Sequence, residues 1–102
     1  MKVLLVDDSK AARFAMRNLL QKDGLEVEIA EAGEEALEKL GEELVDVVFM
    51  DQSMPGMGGI EATRQITTGE RTSEIPVVLC TGNEGDKLEE MAAEAGAVGV
   101  LT

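Results

Sequence analysis

Three short apolar runs in this chain each stop abruptly at polar residues that can carry chemistry. Continuous apolar runs are typical of strands that are buried on both faces of a parallel sheet. If the three strands are parallel neighbours, their carboxyl ends meet at one crevice, where open α/β sheets place their sites. The runs are residues 3–6 before Asp7 and Asp8, residues 45–50 before Asp51, and residues 75–80 before Thr81 and Gly82.

Helical and strand patterns alternate along the rest of the chain. Ser9 is a suitable N-cap for a first helix that ends at Gly24, and the polar-apolar alternation of residues 26–30 predicts an edge strand. Further helices are predicted from Gly33 to about residue 44, from about residue 60 to Gly69 and over residues 84–95, with last strands over residues 74–80 and 98–101. The positions expected to face inward are Ala12, Ala15, Met16, Leu19 and Leu20 in the first helix, Ala36, Leu37, Leu40 and Leu44 in the second, Ile60, Thr63, Ile66 and Thr67 in the third, and Leu88, Met91, Ala92 and Ala95 in the fourth.

Five strands that alternate with four helices predict an α/β fold, a doubly wound parallel sheet with the flavodoxin-like strand order 2-1-3-4-5. Right-handed crossovers then place only the first helix on one face of the sheet and the other three helices on the opposite face. The third and fourth strands are apolar at nearly every position, so they need cover on both faces. One covering helix is missing, and we expect either a chain cut before a fifth helix or a partner or exchanged segment over that face.

The acidic composition excludes several classes of partner. Nine Lys and Arg residues against 21 Asp and Glu residues leave a net charge of −12, which argues against direct binding to nucleic acid or to an anionic membrane. Cys80 is the single cysteine and the chain has no histidine, so we interpret it as a buried structural thiol in a reducing, cytoplasmic setting. The 102 residues suffice for one domain, and the first apolar run is too short for a signal peptide or a membrane span.

The acids at the predicted crevice point to a divalent cation. Asp7, Asp8 and Asp51 would repel one another unless a positive charge offsets theirs. A few hard oxygen ligands with room for water suit Mg²⁺, whereas Zn²⁺ prefers cysteine and histidine. The backbone carbonyl of Ser53, just after Asp51, can supply a further oxygen.

The same crevice offers hydrogen-bond donors to an anion. They are the Thr81 hydroxyl, the Gly82 backbone N–H and the N–H groups of the loop that begins at Gln52. A divalent cation beside oriented donors is what phosphoryl transfer needs, because that chemistry depends on positioning and on neutralising the equatorial oxygens. Asp51 is then the candidate nucleophile, which would form an aspartyl phosphate.

Taken together, these motifs resemble the receiver domain of two-component response regulators, of the chemotaxis-type single-domain kind. The resemblance spans nearly all 102 residues, and its strength lies in the joint spacing of motifs that are weak one by one. The motifs are Asp7-Asp8 after the first strand, Asp51 with Met54-Pro55-Gly56-Met57-Gly58-Gly59 after the third, Thr81-Gly82 after the fourth, and Gly96-Ala97-Val98-Gly99 before the fifth.

The resemblance implies a signalling function and a set of partners. A sensor histidine kinase or phosphotransfer protein would donate a phosphoryl group to the chain, which would then switch a surface for a downstream effector protein or an output domain. Such a domain is a regulator rather than a turnover enzyme, with at most self-catalysed phosphorylation and dephosphorylation. The resemblance names no particular kinase or effector.

The resemblance also assigns roles to residues. Asp51 would accept the phosphoryl group, and Thr81 would be the switch hydroxyl. Mg²⁺ would be held by Asp8, Asp51 and the Ser53 carbonyl, with Asp7 acting partly through water, and the phosphoryl oxygens would be bound by Gln52, Thr81 and Gly82.

Two departures from the family pattern are visible. Receivers place a lysine just after the fifth strand, but the sequence stops at Thr102, so residues 1–102 are expected to be a receiver domain that is incomplete at its C-terminus. Val100 stands where many receivers carry an aromatic switch residue, and a valine cannot swing with a comparable change in exposed area.

Two other functions stay open from the sequence. A truncated or engineered receiver scaffold would keep the fold without the capacity for phosphorylation. A Mg²⁺-dependent phosphatase with an aspartyl nucleophile is less favoured, because such enzymes usually have a second acid two residues after the nucleophile and this chain has Ser53 there. The face left bare by the missing helix also predicts a possible homodimer or exchange of elements between copies.

Overall fold

The computed structural model describes residues 1–54, 56–81 and 86–101, and these form a five-stranded parallel sheet with four helices. The strand order is β2-β1-β3-β4-β5, which confirms the predicted doubly wound topology. No helix in the described part of the chain is long and apolar enough to cross a membrane. The elements are β1 (Lys2–Val6), α1 (Lys10–Lys22), β2 (Glu26–Ala30), α2 (Gly33–Glu42), β3 (Val47–Asp51), α3 (Gly59–Thr68), β4 (Val77–Cys80), α4 (Asp86–Glu94) and β5 (Gly99–Leu101).

The predicted boundaries hold at most elements and shift at a few. Ser9 caps α1 by accepting a hydrogen bond from the Ala12 N–H, and Gly24 follows the helix with a φ of 86° that favours glycine. Strand β4 begins at Val77, after Pro76, because proline cannot donate to the sheet ladder. The fourth helix is described from Asp86, and its expected start near residue 84 lies outside the described residues.

The strand register brings the carboxyl ends of the three central strands level with one another. Val6 pairs with Met50, and Asp51 pairs with Cys80. Asp7 therefore lies beside Asp51 at the edge of the sheet, and Thr81 lies one residue beyond. This edge is the one at which a doubly wound fold binds its ligands.

The main core lies between the sheet and helices α2, α3 and α4. Alternate strand positions such as Val48, Met50 and Leu79 are completely buried on this side. The inward positions predicted for α2 and α3 are confirmed, with Leu40 and Ile66 among the fully buried side chains. The inward position predicted for Leu44 is wrong, because Leu44 lies beyond the end of α2 and is 45% exposed. The inward position predicted for Met91 of α4 is also wrong, since this side chain is exposed.

The opposite face of the sheet carries only α1 among the described residues. Helix α1 packs over β2 and β1, where Val3 and Leu5 are buried. The rest of this face lacks cover, because Phe49 and Val78 are only half-buried and Leu101 is 50% exposed. The prediction that this face lacks a covering helix is thus confirmed for the part of the chain that the structure describes.

The prediction for the inward side of α1 is largely wrong. Met16 and Leu20 do face the sheet, but their neighbours on that side are Arg13 and Arg17, of which Arg13 is only 7% exposed. Ala12, Ala15 and Leu19, which were expected inside, are exposed. Arg13 can lie inside because its apolar stem packs under the helix while its guanidinium finds partners at the edge of the sheet.

Candidate functional site

Three carboxylates meet at the carboxyl edge of the sheet. Asp7 and Asp8 follow β1, Asp51 ends β3, and one carboxylate oxygen from each lies within 4.8 Å of the other two. Asp7 and Asp51 are half-buried, and Asp8 is exposed to solvent. The parallel register alone explains this cluster, because it places the ends of neighbouring strands side by side.

The electrostatics of this cluster favour a cation. The pKa of Asp51 is raised above its ordinary value, first by burial and then by the negative charge of Asp7, with a smaller effect from Asp8. A hydrogen bond from the Ser53 backbone N–H to the Asp51 carboxylate works in the opposite direction. Three oxygen ligands that disfavour one another's charge fit a hard divalent ion such as Mg²⁺, since its charge would relieve their repulsion.

Arg13 fixes the backbone of the acidic cluster, a role that the sequence analysis missed. Its Nη1 donates to the Asp7 carbonyl oxygen over 2.8 Å, and its Nη2 donates to Glu31 over 3.0 Å. The Asp7 carboxylate in turn accepts the Ser9 N–H over 2.9 Å at the start of α1. A signal was present in the sequence, since Arg13, Arg17 and Leu20 recur at the spacing of one helix face.

The predicted phosphoryl-binding residues are partly described. Thr81 is half-buried, and its backbone N–H donates to Leu101 over 2.9 Å, while the Gln52 N–H donates to Cys80 over 2.9 Å. These bonds tie the ends of β3, β4 and β5 together. Within the described residues the buried Gln52 side-chain oxygen has no hydrogen-bond partner. Gly82 lies outside the described residues, as does Pro55.

Helix α3 begins in direct contact with the end of β3. The Gly59 N–H donates to the Gln52 carbonyl over 3.1 Å. A Cβ atom on Gly59 would lie 2.3 Å from the Asp51 carbonyl oxygen, so no other residue fits at this point without displacing the backbone. The Gly58-Gly59 pair thus has the helix-entry role that is expected for glycines after a turn, and it also sets the position of Asp51.

Cys80 lies on the α1 face of the sheet, next to Asp51. It is half-buried rather than fully buried as expected. Burial raises the pKa of its thiol, and the negative charges of Asp51 and Asp7 raise it further. The thiol is therefore protonated at neutral pH, which agrees with the interpretation that it is not a nucleophile.

The fold and the site together define a class of protein. A doubly wound sheet whose carboxyl edge carries three clustered acids, with a threonine at the end of the next strand, is an α/β module that can hold a divalent cation at that edge. The response regulator receiver domain family matches residues 3–102, and the chain belongs to that family.

Similar proteins include a chain of nearly the same length and much longer chains. The chain is 37% identical over 101 residues to Protein PilH of Pseudomonas aeruginosa, covering 99% of this chain and 84% of PilH. It is 40% identical to the response regulator UvrY of Escherichia coli, covering 46% of that protein, and 38% identical to the autoinducer 2 sensor kinase/phosphatase LuxQ of Vibrio vulnificus, covering 12% of it. The chain therefore spans only a fraction of several relatives.

A solved structure of close shape has been described. The chemotaxis protein CheY4 of Vibrio cholerae superposes with a TM-score of 0.95 at 34% identity, covering 99% of this chain and 84% of CheY4. At this level of identity and shape, the strand order and the helix placement agree with those of a chemotaxis-type receiver.

Proposed function

We propose that this chain is the phosphoacceptor module of a two-component signalling pathway and that Asp51 accepts the phosphoryl group. The observation that carries the proposal is the cluster of Asp7, Asp8 and Asp51 at the carboxyl edge of the sheet. Among these acids, Asp51 ends the central strand β3 and has a solvent-accessible side chain. In the reaction, an Asp51 carboxylate oxygen bonds to phosphorus and the bond from phosphorus to the donor's leaving group breaks.

Mg²⁺ is the cation that suits this site. The Asp8 and Asp51 carboxylates and the Ser53 carbonyl would bind it, with Asp7 contributing partly through water. When bound, the ion would neutralise charge on the phosphoryl oxygens. The raised pKa of Asp51 is consistent with this assignment, because burial and then the negative charge of Asp7 disfavour its carboxylate, and a cation would offset both effects.

The remaining residues of the site would orient the phosphoryl group and transmit a conformational change when it is bound. Gln52, Thr81 and Gly82 would donate to its oxygens, and Thr81 would link it to β5 through the backbone bond to Leu101. Val100 is half-buried and packs against the core. A switch would therefore depend on the segment after Thr81 and on α4 rather than on a swinging aromatic ring.

The partners follow from the family. We infer a sensor histidine kinase or phosphotransfer protein as the donor and an effector protein or output domain as the target, in the cytoplasm. The relatives include a sensor kinase and response regulators of greater length, so the output attached to this module differs among them. The module itself would act as a regulator without multiple turnover.

Phosphorylation by a small donor tests the proposal. We expect acetyl phosphate with Mg²⁺ to add one phosphoryl group per chain, measured by intact mass, and we expect chelation of the metal to prevent the addition. Asp51→Asn should abolish labelling because it removes the nucleophile. Asp46→Asn is the matched control, since Asp46 lies just before the other end of β3, where its carboxylate accepts the Lys2 N–H over 2.7 Å.

The other outcomes separate the alternatives. Labelling that persists in Asp51→Asn would contradict the assignment of the nucleophile. Binding of Mg²⁺ without any labelling would favour a receiver scaffold that lacks the capacity for phosphorylation. Steady turnover of a phosphate ester would instead favour the aspartyl phosphatase.

A further inference from the structure

The buried arginine of helix α1 lies in surroundings that its packing alone does not explain. The Arg13 side chain is almost entirely buried, and its Nε has no hydrogen-bond partner among the described residues. Taking a guanidinium out of water costs free energy, and an Nε that stays unpaired adds to that cost. Stability is thus a poor explanation for an arginine at this position, and its remaining contacts give a better one.

Those contacts hold the backbone of Asp7 from two sides. The Asp7 N–H donates to the Ala30 carbonyl over 3.0 Å, and the Asp7 carbonyl accepts a hydrogen bond from Arg13 Nη1 over 2.8 Å. Arg13 Nη2 in turn donates over 3.0 Å to Glu31, the residue that follows Ala30. The end of β2 therefore fixes both peptide groups of Asp7, one directly and the other through Arg13.

The peptide group that Arg13 fixes is the one that leads into Asp8. The Asp7 carboxylate already has a fixed position, since it accepts the Ser9 N–H over 2.9 Å. Asp8 is exposed to solvent, so the direction of its carboxylate depends mainly on the peptide plane before it. Rotation of that plane would move the Asp8 oxygen away from the other two carboxylates, which it now approaches within 4.8 Å.

We propose that Arg13 is a positioning residue for the cation site, because it sets the Asp7–Asp8 peptide plane and thereby the place of the Asp8 carboxylate. The inference rests on the proposed function, since it concerns the Mg²⁺ that the three acids would bind. Arg13 donates to a backbone oxygen of the cluster and to none of its carboxylates, so it acts through Asp8 rather than on the ion. Groups that orient metal ligands in this way typically change metal affinity by about 10- to 100-fold.

Charge alone would give Arg13 the opposite effect. A guanidinium whose Nη1 lies 2.8 Å from the Asp7 carbonyl oxygen repels a divalent cation at the same cluster. Its removal would therefore tighten Mg²⁺ binding if Arg13 acted only through charge, whereas removal weakens binding if Arg13 holds the peptide plane. The two roles predict opposite signs for one substitution, Arg13→Met, which keeps an unbranched apolar stem.

A Mg²⁺ titration followed through backbone amide resonances measures the dissociation constant and shows that each variant is folded. We expect Arg13→Met to raise the dissociation constant about tenfold. Arg13→Lys keeps the stem and the charge and should raise it as well, since one ammonium cannot reproduce the fork between the Asp7 carbonyl and Glu31. Arg17→Met is the matched control and should leave the dissociation constant nearly unchanged, because Arg17 is half-buried on the same helix but lies over the Phe14 ring, 5.8 Å from its centroid.

Labelling by acetyl phosphate separates this inference from the proposed function. Labelling of Arg13→Met should be slower than that of the parent chain and should return to the parent rate when Mg²⁺ is raised about tenfold, because Asp51 is unchanged. Slower labelling that no Mg²⁺ concentration restores would overturn the positioning role, as would a dissociation constant equal to or below the parent's in either Arg13 variant. A parent chain that binds Mg²⁺ but accepts no phosphoryl group would overturn the proposed function alone, and one that binds no Mg²⁺ would overturn both.

Discussion

Asp51 combines partial burial with two neighbouring carboxylates, and both features disfavour its charged form. Its folded-state pKa is raised, so between the ordinary value of 3.8 and the raised one the native state binds more protons than the unfolded state. Stability therefore falls as the pH rises through that window. A site that destabilises its own fold in this way is typical of a residue kept for function.

The first prediction concerns this repulsion. Without divalent cations at pH 7, Asp51→Asn should raise the free energy of unfolding by about 1 kcal/mol, the scale of repulsion between charges a few Å apart in water. The gain should shrink toward pH 4 and should be offset by Mg²⁺, which stabilises only the parent chain. Urea denaturation measures it, with Asp46→Asn as the control that shows no gain. A stability loss in Asp51→Asn under these conditions would contradict the proposed charge repulsion.

At the scale of elements, the junction between β3 and α3 positions the acid. The existence and type of β3 and α3 were predictable from apolar runs and helical spacing, and so was the break between them. The contact of Gly59 with the Asp51 carbonyl was not predictable from the sequence. A glycine in a turn can be required for its φ value or for the space that its missing side chain leaves, and the sequence does not distinguish these two roles. Only the packing of α3 against β3 shows which of these two roles Gly59 has.

Substitutions at two glycines test this junction. Gly59→Ala should destabilise the fold by about 2 kcal/mol or more, because its Cβ would lie 2.3 Å from the Asp51 carbonyl oxygen. It should also lower phosphorylation by moving Asp51. Gly41→Ala in α2, where no neighbouring atom lies within 4 Å, should instead stabilise by roughly 0.5–1 kcal/mol. Chemical denaturation at a fixed protein concentration compares the two, and a neutral Gly59→Ala would refute the close contact.

The molecule as a whole carries a charge imbalance that its fold does not neutralise. The net charge is −12, and the described residues form four ion pairs. In all four the acid's side chain is at least half exposed, so each pair adds little to stability. Self-repulsion of this size is a property of composition, and it acts on the compact state more than on the unfolded chain.

Salt should therefore stabilise the folded chain. Raising NaCl from about 50 mM to about 500 mM shortens the screening length several-fold, and we expect a gain of about 1 kcal/mol, or about 4–8 °C in Tm. Thermal unfolding at constant protein concentration measures the effect. Replacing Glu38 and Glu42 of α2 by glutamine should reduce the salt dependence of the Tm. A Tm that falls as NaCl rises would contradict the prediction that salt stabilises the folded chain.

The sequence by itself determined the strands, their order and the acids at their ends, because apolar runs, turn residues and right-handed crossovers are local or general rules. It did not determine that Arg13 would be buried under α1 while Leu19 stays outside, since helical spacing names a stripe without saying which element will cover it. The 4.8 Å approach of Asp7, Asp8 and Asp51 likewise came from the register of separate strands. What covers a face, and how closely two elements meet, depends on the whole set of packed neighbours, and that information exists only in the tertiary structure.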